Sequence, residues 1–222
     1  MNPLNKLFAL LSLLTVASQA SAVLVERDLA SAGDKQLTFD TKTRLEWLDV
    51  SNTIGETLEQ VQSGSYLTTL GFRFATLLEV ETLWRNAGAT GPIVYDPNHE
   101  SYAENYLAAK TLVGMLGCTS YVLGVQCDNF EQNWHIARFS LQSGPIIQEL
   151  GLVDYFETPD PRIGTGAMLI NVGSSFPSFY SRPDIGNYLV RTPIPESSTL
   201  AYMLLGLTLS LRQYKKQFKN AS

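Results

Sequence analysis

An apolar run stands at each end of this chain, and the two runs limit what the rest can fold into. Residues 1–22 combine the cation Lys6, an apolar stretch and a small-residue site ending at Ala22. This is the pattern of a secretory signal peptide that signal peptidase removes before Val23. The alternative is an uncleaved anchor helix, although the apolar stretch is short for a bilayer span. The pattern therefore predicts export across the inner membrane.

The second apolar run extends from Ser198 to Leu211 and is followed by a basic end. Its length corresponds to about 21 Å of helix, whereas a hydrocarbon core is ~30 Å thick. Cations after the run favour the cytoplasmic side, which would place residues 23–192 outside. The alternative is an amphipathic or core helix of the domain, but the run is apolar all round. We therefore expect residues 193–222 to anchor the chain in the membrane at least transiently.

The 170 residues 23–192 suffice for one domain with a sizeable core. They carry 11 Lys and Arg against 20 Asp and Glu, a net charge of −9, whereas the whole chain has −5. Nucleic acid and anionic lipid both select basic patches. The charge therefore argues against a nucleic-acid partner for this domain.

Apolar spacing predicts a β-hairpin over residues 36–50 and helices within 51–71, after Thr76 and over 102–117. Ser51 or Thr53 is expected to cap the first helix, and Thr76 with Glu79 forms a capping box for the second. Short β-prone runs follow: Tyr121 to Val125, Trp134 to Leu141, Ile146 to Val153, Ala167 to Val172 and Asn187 to Arg191. This order predicts a single α+β domain with two or three helices and an antiparallel sheet.

The two cysteines, Cys118 and Cys127, both lie in the exported part. An even count in an oxidising compartment predicts a disulfide. Two buried free thiols, or half of a metal site, are the alternatives. The histidines His99 and His135 have no ligand spacing to a cysteine, so we expect no metal at the cysteines.

The tail resembles the PEP-CTERM sorting signal of Gram-negative exported proteins. Pro195 and Glu196 match its first two positions, Ser197 stands where a second proline is expected, and a Ser/Thr-rich start, an apolar segment and a basic end follow. The resemblance implies an exosortase-type transpeptidase as a partner. That enzyme would cut near the Pro-Glu element and transfer the protein to the cell surface or to an extracellular polymer matrix.

The body is similar to an exported C-type-lectin-like, or formylglycine-generating-enzyme-like, domain that often accompanies such tails. Leu45-Glu46-Trp47-Leu48-Asp49 and Gly71-Phe72-Arg73-Phe74-Ala75-Thr76 carry the likeness. Arg44, Phe72 and Phe74 replace the glycine, tryptophan and tyrosine of the family pattern. The likeness covers residues 36–84 and, briefly, 187–191. It implies pairing of the first and last strands.

Two acidic loops are candidate ligand sites. Asp96, Asn98 and Glu100 alternate as calcium ligands would, but the glycine and the closing carboxylate of an EF-hand are missing, which favours a solvated loop. Glu157 and Asp160 flank prolines, as in the sugar-and-calcium loops of lectins. Calcium is thus the only cofactor that these loops suggest, and otherwise we expect none.

Four aromatic residues are expected in the core, namely Trp47, Phe72, Phe74 and Trp84, with sugar stacking as the alternative for any one of them. Arg73, placed between two of them, is expected to pair with Asp49 or Glu79 rather than with a ligand.

No nucleophile, base and orienter stand in a recognisable pattern, and no Gly-x-Ser-x-Gly segment occurs. We expect a surface or matrix protein without catalytic activity, associated with exopolysaccharide. A carbohydrate- or calcium-dependent binding module is the second hypothesis. A secreted hydrolase, which would need catalytic groups that meet in a cleft, is the third.

Overall fold

The computed structural model describes residues 24–94, 101–119, 121–122, 125–126, 132–140, 148–156, 161–171 and 183–193. The chain divides into two compact units, Met1–Arg191 and Thr192–Ser222, and nearly all described residues belong to the first. The expected signal peptide and the sorting tail from residue 194 lie outside the described residues.

Eleven strands occur among these residues: β1 Leu24–Arg27, β2 Leu37–Asp40, β3 Leu45–Leu48, β4 Arg73–Phe74, β5 Tyr121–Val122, β6 Val125–Gln126, β7 Gln132–Ser140, β8 Gln148–Phe156, β9 Gly166–Asn171, β10 Ile185–Asn187 and β11 Leu189–Arg191. The α-helices described are α1 Leu58–Ser63, α2 Ser65–Thr68, α3 Leu77–Asn86 and α4 Tyr106–Leu116. Two 3₁₀ turns, Val50–Thr53 and Ala103–Asn105, complete the list. The predicted α+β class is confirmed.

The first sheet has the order β1-β2-β3-β11-β4, and all its pairs are antiparallel. The predicted hairpin is confirmed as β2 and β3. The last strand, β11, lies between β3 and β4, with Val190 opposite both Trp47 and Arg73. The last strand of the described residues therefore pairs inside this sheet with a strand from the N-terminal hairpin, far away in the sequence.

The second sheet has the order β10-β7-β8-β9, and β5 pairs only with β6 in a separate ribbon. The expected antiparallel sheet is present as the first sheet, whereas the second sheet is mixed, because β10 runs parallel to β7. The chain returns after β9 to lie beside β7 in the same direction. A Cβ on Gly186 would meet the carbonyl oxygen of Val50, so only glycine allows β10 to approach the 3₁₀ turn this closely.

Both faces of the first sheet are covered. Leu48 and Leu189 pack with Leu58 and Val61 of α1 on one face. On the other face, a larger core includes Trp47 and Val190 together with buried residues of α3, α4 and the second sheet, among them Trp84, Leu112, Phe139 and Met168. Burial of such side chains contributes about 2 kcal/mol each.

The helices differ from expectation in two places. Neither Ser51 nor Thr53 caps α1; Thr57 does, through a capping box with Gln60. The positive φ of Gly55 separates the 3₁₀ turn from the helix, so the cap lies after it. In α4, Leu107 is 73% exposed, and small residues such as Ala108 and Ala109 are buried instead.

Candidate functional site

Arg73, from the second motif of the first sheet, makes its contacts within the protein. Arg73 donates to Glu79 at 2.8 and 2.5 Å, so the predicted ion pair forms with Glu79 and not with Asp49. Glu79 also accepts from the backbone N–H of Thr76 at 2.9 Å, as the capping box predicts. Burial alone would raise the pKa of Glu79, but the hydrogen bonds from Arg73 and Thr76 outweigh it and hold the pKa below its ordinary value.

Glu46 is the centre of a second ion-pair network. Its two carboxylate oxygens accept from Arg27 and from Arg191, each at 3.0 Å. Arg191 also donates to the carbonyl oxygen of Leu70 at 3.0 Å and lies over the ring of Phe72. The network therefore ties β1, β3 and β11 together.

Asp49, the last residue of the hairpin motif, has an unusual environment. Its Oδ1 atom is buried and has no hydrogen-bond partner among the described residues, and its side chain does not cap the 3₁₀ turn that follows. Burial, and then the negative charges of Glu26 and Asp34, raise the pKa of Asp49 to about 7. Asp34 accepts backbone N–H groups of its own loop, and Glu26 pairs with Lys35. The carboxylates near Asp49 are thus engaged elsewhere.

His135 and Tyr188 form a pair in the core, with His135 Nε2 2.7 Å from Tyr188 Oη and both residues fully buried. Burial lowers the pKa of His135 to about 3, and the nearby backbone of Gly117 has a smaller, opposing effect. The imidazole is therefore neutral at physiological pH. Since neither side chain reaches solvent, this pair connects parts of the core and does not face a substrate.

The two acidic candidate loops lie outside the described residues, so Asp96, Asn98, Glu100, Glu157 and Asp160 stay predictions. Their described flanks lie close together. Val94 bridges to Leu169, and Tyr102 bridges to Gly166, both on β9. After β8, Gly164 donates to the carbonyl oxygen of Phe156 at 3.1 Å. Thr165 then donates to Ser101 Oγ at 2.9 Å, which joins the flanks of both loops.

Beside these flanks lies a surface of three residues, Tyr106, Lys110 and Tyr155, which we call the aromatic surface. The two tyrosine rings are half-buried and meet edge to face, with centroids 6.1 Å apart. Lys110 Nζ lies 5.7 Å from both ring centroids and 3.4 Å from Tyr106 Oη. Aromatic side chains with a few polar groups are frequent in the lining of ligand sites.

Packing between α4 and β9 positions these rings. A Cβ on Gly166 would lie 2.9 Å from the Cβ of Ala109 and 3.0 Å from the carbonyl oxygen of Asn105, so the helix rests directly on the glycine. Tyr155 is the cross-strand partner of Gly166. Because cross-strand partners share a sheet face and Gly166 has no side chain, the Tyr155 ring can reach α4.

For the other site residues predicted from the sequence, the structure answers for the four aromatic residues and leaves the cysteine pair open. Trp47, Phe72, Phe74 and Trp84 are all buried, which confirms the core interpretation and excludes sugar stacking on them. Cys118 is buried, but Cys127 lies outside the described residues, so their disulfide stays a prediction. The described residues contain no group of His, Cys, Asp or Glu suited to hold a metal ion.

The aromatic surface was missed from the sequence. Tyr106 and Lys110 stand four residues apart, a spacing that places them on one helix face. Helical spacing alone does not distinguish such a pair from an ordinary helix surface. The contribution of Tyr155 depends on the register of β8 with β9, which local sequence does not reveal.

No helix in the described part of the chain is both long and apolar enough to cross a bilayer. Comparison with models of known protein families, with curated proteins and with solved structures finds no match.

Proposed function

We propose that this protein is exported, sorted through residues 193–222 by an exosortase-type enzyme, and displayed at the cell surface or in an extracellular polymer matrix. Its domain is C-type-lectin-like and acts by association, without catalysis. The sorting motif is Pro195, Glu196 and Ser197. The signal-peptide pattern of residues 1–22 supplies the export step of this proposal.

The position of β11 is the observation that carries the proposal. This strand ends at Arg191 and is hydrogen-bonded on both sides, to β3 and to β4. Cleavage near Pro195 and Glu196 would therefore remove no strand of the described sheets, and the domain could survive loss of the tail. The pairing of the N-terminal hairpin with the last strand also supports the lectin-like fold.

Deletion of residues 194–222 tests the sorting role. We expect the truncated protein to fold, because every strand of the described residues is retained, and to appear in the periplasm or the medium. A matched control is the full chain with Leu78→Ala, a change at an exposed position of α3. Identical localisation of the truncated and full-length proteins would overturn the proposal. Mass spectrometry of the mature C-terminus would further show whether the chain ends near Glu196.

A second candidate function is a carbohydrate- or calcium-dependent binding module. It is favoured by the joined flanks of the two acidic loops, where Thr165 donates to Ser101. A glycan array with and without calcium tests it. Binding that requires calcium and is lost in Asp96→Asn and Glu157→Gln would support this function, and equal binding without calcium would exclude the calcium dependence.

A further inference from the structure

The start of the first strand and the end of the last strand of the described part lie at the same end of the first sheet. Leu24, which begins β1, lies opposite Asp40, the last residue of β2. Asp40 also lies opposite the first residue of β3, and Arg191, which ends β11, lies opposite Glu46 in that strand. The start of β1, the turn between β2 and β3, and the end of β11 are therefore neighbours.

This end of the sheet is connected to both apolar runs of the sequence. The expected signal peptide stops at Ala22, two positions before Leu24, and the apolar run of the tail begins at Ser198, seven positions after Arg191. A chain of that length reaches at most ~25 Å when it is fully extended. While the tail is inserted in a membrane, this end of the sheet is therefore held close to the bilayer.

The turn between β2 and β3, residues 41–44, carries two exposed cations, Lys42 and Arg44, and we call it the basic turn. Neither side chain has an ion-pair or hydrogen-bond partner within the part of the chain that the structure describes. The other described lysine and arginine side chains each contact a carboxylate, a carbonyl oxygen, a hydroxyl or an aromatic ring. The two unpaired cations thus lie together in one turn.

The carboxylates next to the basic turn are buried and engaged. Asp40 accepts from the backbone N–H of Lys42 at 2.9 Å and from the side-chain amide of Asn86 at 2.7 Å. Glu46 is buried as well, and its two oxygens accept from arginines. Neither the turn nor residues 192–193, which follow β11, contain Asp or Glu. The exposed charge of the turn is therefore positive.

The backbone at Arg44 is not one that favours an arginine. Its φ of 58° lies in the left-handed region, which glycine adopts without strain and which asparagine tolerates. A smaller residue would therefore suit the conformation of the turn better. The stability of the turn does not account for the arginine, whereas a role for its charge does.

Anionic phospholipid headgroups attract lysine and arginine close to the membrane surface, and the attraction decays over a Debye length of ~8 Å at physiological salt. The charges nearest to the bilayer therefore decide whether a contact is favourable. Residues 23–192 carry a net charge of −9, which would repel an untethered domain. A chain anchored through its tail does not need to approach the membrane by diffusion, so the local charge of the basic turn prevails.

We propose that the basic turn, through Lys42 and Arg44, contacts anionic phospholipid headgroups while residues 193–222 anchor the chain in the membrane. This inference rests on the proposed sorting through the tail, and it adds the lipid class and the end of the domain that faces the bilayer. The contact keeps the end of β11, four positions before Pro195, on the membrane side of the domain.

The experiment measures how fast an N-hydroxysuccinimide ester acetylates each lysine, with mass spectrometry as the readout. Residues 23–222, which retain every described strand, are anchored in vesicles of phosphatidylcholine alone or with phosphatidylglycerol as a third of the lipid. We expect Lys42 to react about fivefold more slowly on the phosphatidylglycerol vesicles. Lys35, in the connection between β1 and β2 at the opposite end of the sheet, should react equally fast on both.

Arg44→Asn should reduce the slowing of Lys42 to about twofold, because one of the two cations is lost and asparagine tolerates the backbone conformation. Lys35→Gln is the matched control, since it removes one cation from the opposite end of the sheet, and it should leave the slowing unchanged. Salt at about 1 M, where the Debye length is ~3 Å, should abolish the slowing in the parent protein.

Three results would each overturn the inference: equal reaction rates of Lys42 on the two kinds of vesicle, an equal slowing of Lys35, or a slowing that persists at high salt. Unchanged protection of Lys42 in Arg44→Asn would also overturn it. If that variant does not fold, the comparison of Lys42 with Lys35 in the parent protein decides.

Flotation of the vesicles separates this inference from the proposed function. If the protein floats with both kinds of vesicle but Lys42 reacts equally fast on both, only this inference fails and sorting through the tail stands. If the protein floats with neither, the tail does not anchor the chain, and both proposals fail.

Discussion

Arg191 Nε donates to Glu46 Oε2 at 3.0 Å, and this contact joins the last strand of the folded unit to its N-terminal hairpin. The two side chains are only 9% and 7% exposed. A buried arginine that loses its carboxylate keeps its desolvation penalty without compensation, which makes such contacts sensitive to removal of one partner.

Glu46→Ala should therefore lower the free energy of unfolding by about 3 kcal/mol, because it leaves the buried guanidinium of Arg191 without a carboxylate. Urea unfolding followed by tryptophan fluorescence measures this. Arg27→Ala is the matched control, because Arg27 is the other partner of Glu46 and its side chain is 41% exposed. This variant should lower the free energy of unfolding by at most about 1 kcal/mol. Equal losses in the two variants would contradict the argument.

Asp49 should make the protein less stable as the pH rises toward 7. Its pKa of about 7 in the folded state lies above the ordinary value near 4 in the unfolded chain, so the folded state binds the proton more tightly. The stabilisation is complete below pH 4 and is lost as the pH rises through 7. Asp49→Asn should remove this dependence and stabilise the protein at pH 8 by about 1 kcal/mol, discounted for partial exposure.

The measurement is the free energy of unfolding of the parent and of Asp49→Asn between pH 4 and pH 8. Asp34→Asn serves as a comparison, because hydrogen bonds from backbone N–H groups hold the pKa of Asp34 below its ordinary value and not above it. Asp34→Asn should therefore be less stable than the parent protein throughout pH 4 to pH 8. A parallel pair of curves for the parent and Asp49→Asn would contradict the raised pKa.

His135 has the opposite effect to Asp49 on the pH dependence of stability. Its pKa of about 3 in the folded state is lower than the ordinary value near 6.5, so the unfolded chain binds the proton more tightly. Stability contributed by the neutral imidazole is present above pH 6.5 and is lost as the pH falls toward 3, by up to about 1.4 kcal/mol per pH unit. His135→Gln, whose amide can still bond to Tyr188, should remove this loss of stability toward low pH.

Between pH 4 and 6.5 the effects of Asp49 and His135 oppose each other. The parent protein should thus show a flatter stability profile there than either Asp49→Asn or His135→Gln. Thermal unfolding across this range, with both single variants and the double variant, checks the compensation. Profiles of equal slope in the two single variants would contradict it.

Two glycines near α4 should respond in opposite ways to alanine. At Gly166 a Cβ would meet Ala109 at 2.9 Å, so Gly166→Ala should destabilise the fold by about 1–3 kcal/mol through displacement of the helix. At Gly114, on the exposed side of α4, a Cβ meets nothing within 4 Å, so Gly114→Ala should stabilise by about 1 kcal/mol. Thermal unfolding of both variants checks the signs.

Local pattern was enough to predict several elements. The capping box at Thr76 and Glu79, the hairpin of β2 and β3, and the burial of Trp47 and Trp84 all depend on neighbours within a few residues. These features follow from spacing and hydrogen-bond chemistry that the chain carries locally. The same reasoning failed at the start of α1, where several polar residues could cap and the backbone at Gly55 decided among them.

By itself, then, the sequence determined the α+β class, the capping box of α3 and the burial of the four aromatic residues Trp47, Phe72, Phe74 and Trp84. Tertiary structure alone decided which partner each strand and charge found. The parallel pair of β10 with β7, the meeting of Glu46 with Arg191 across 145 positions, and the approach of Tyr155 to Tyr106 are such cases. These contacts depend on strand order and register, which arise when the two sheets pack and are not encoded in the spacing of any one segment.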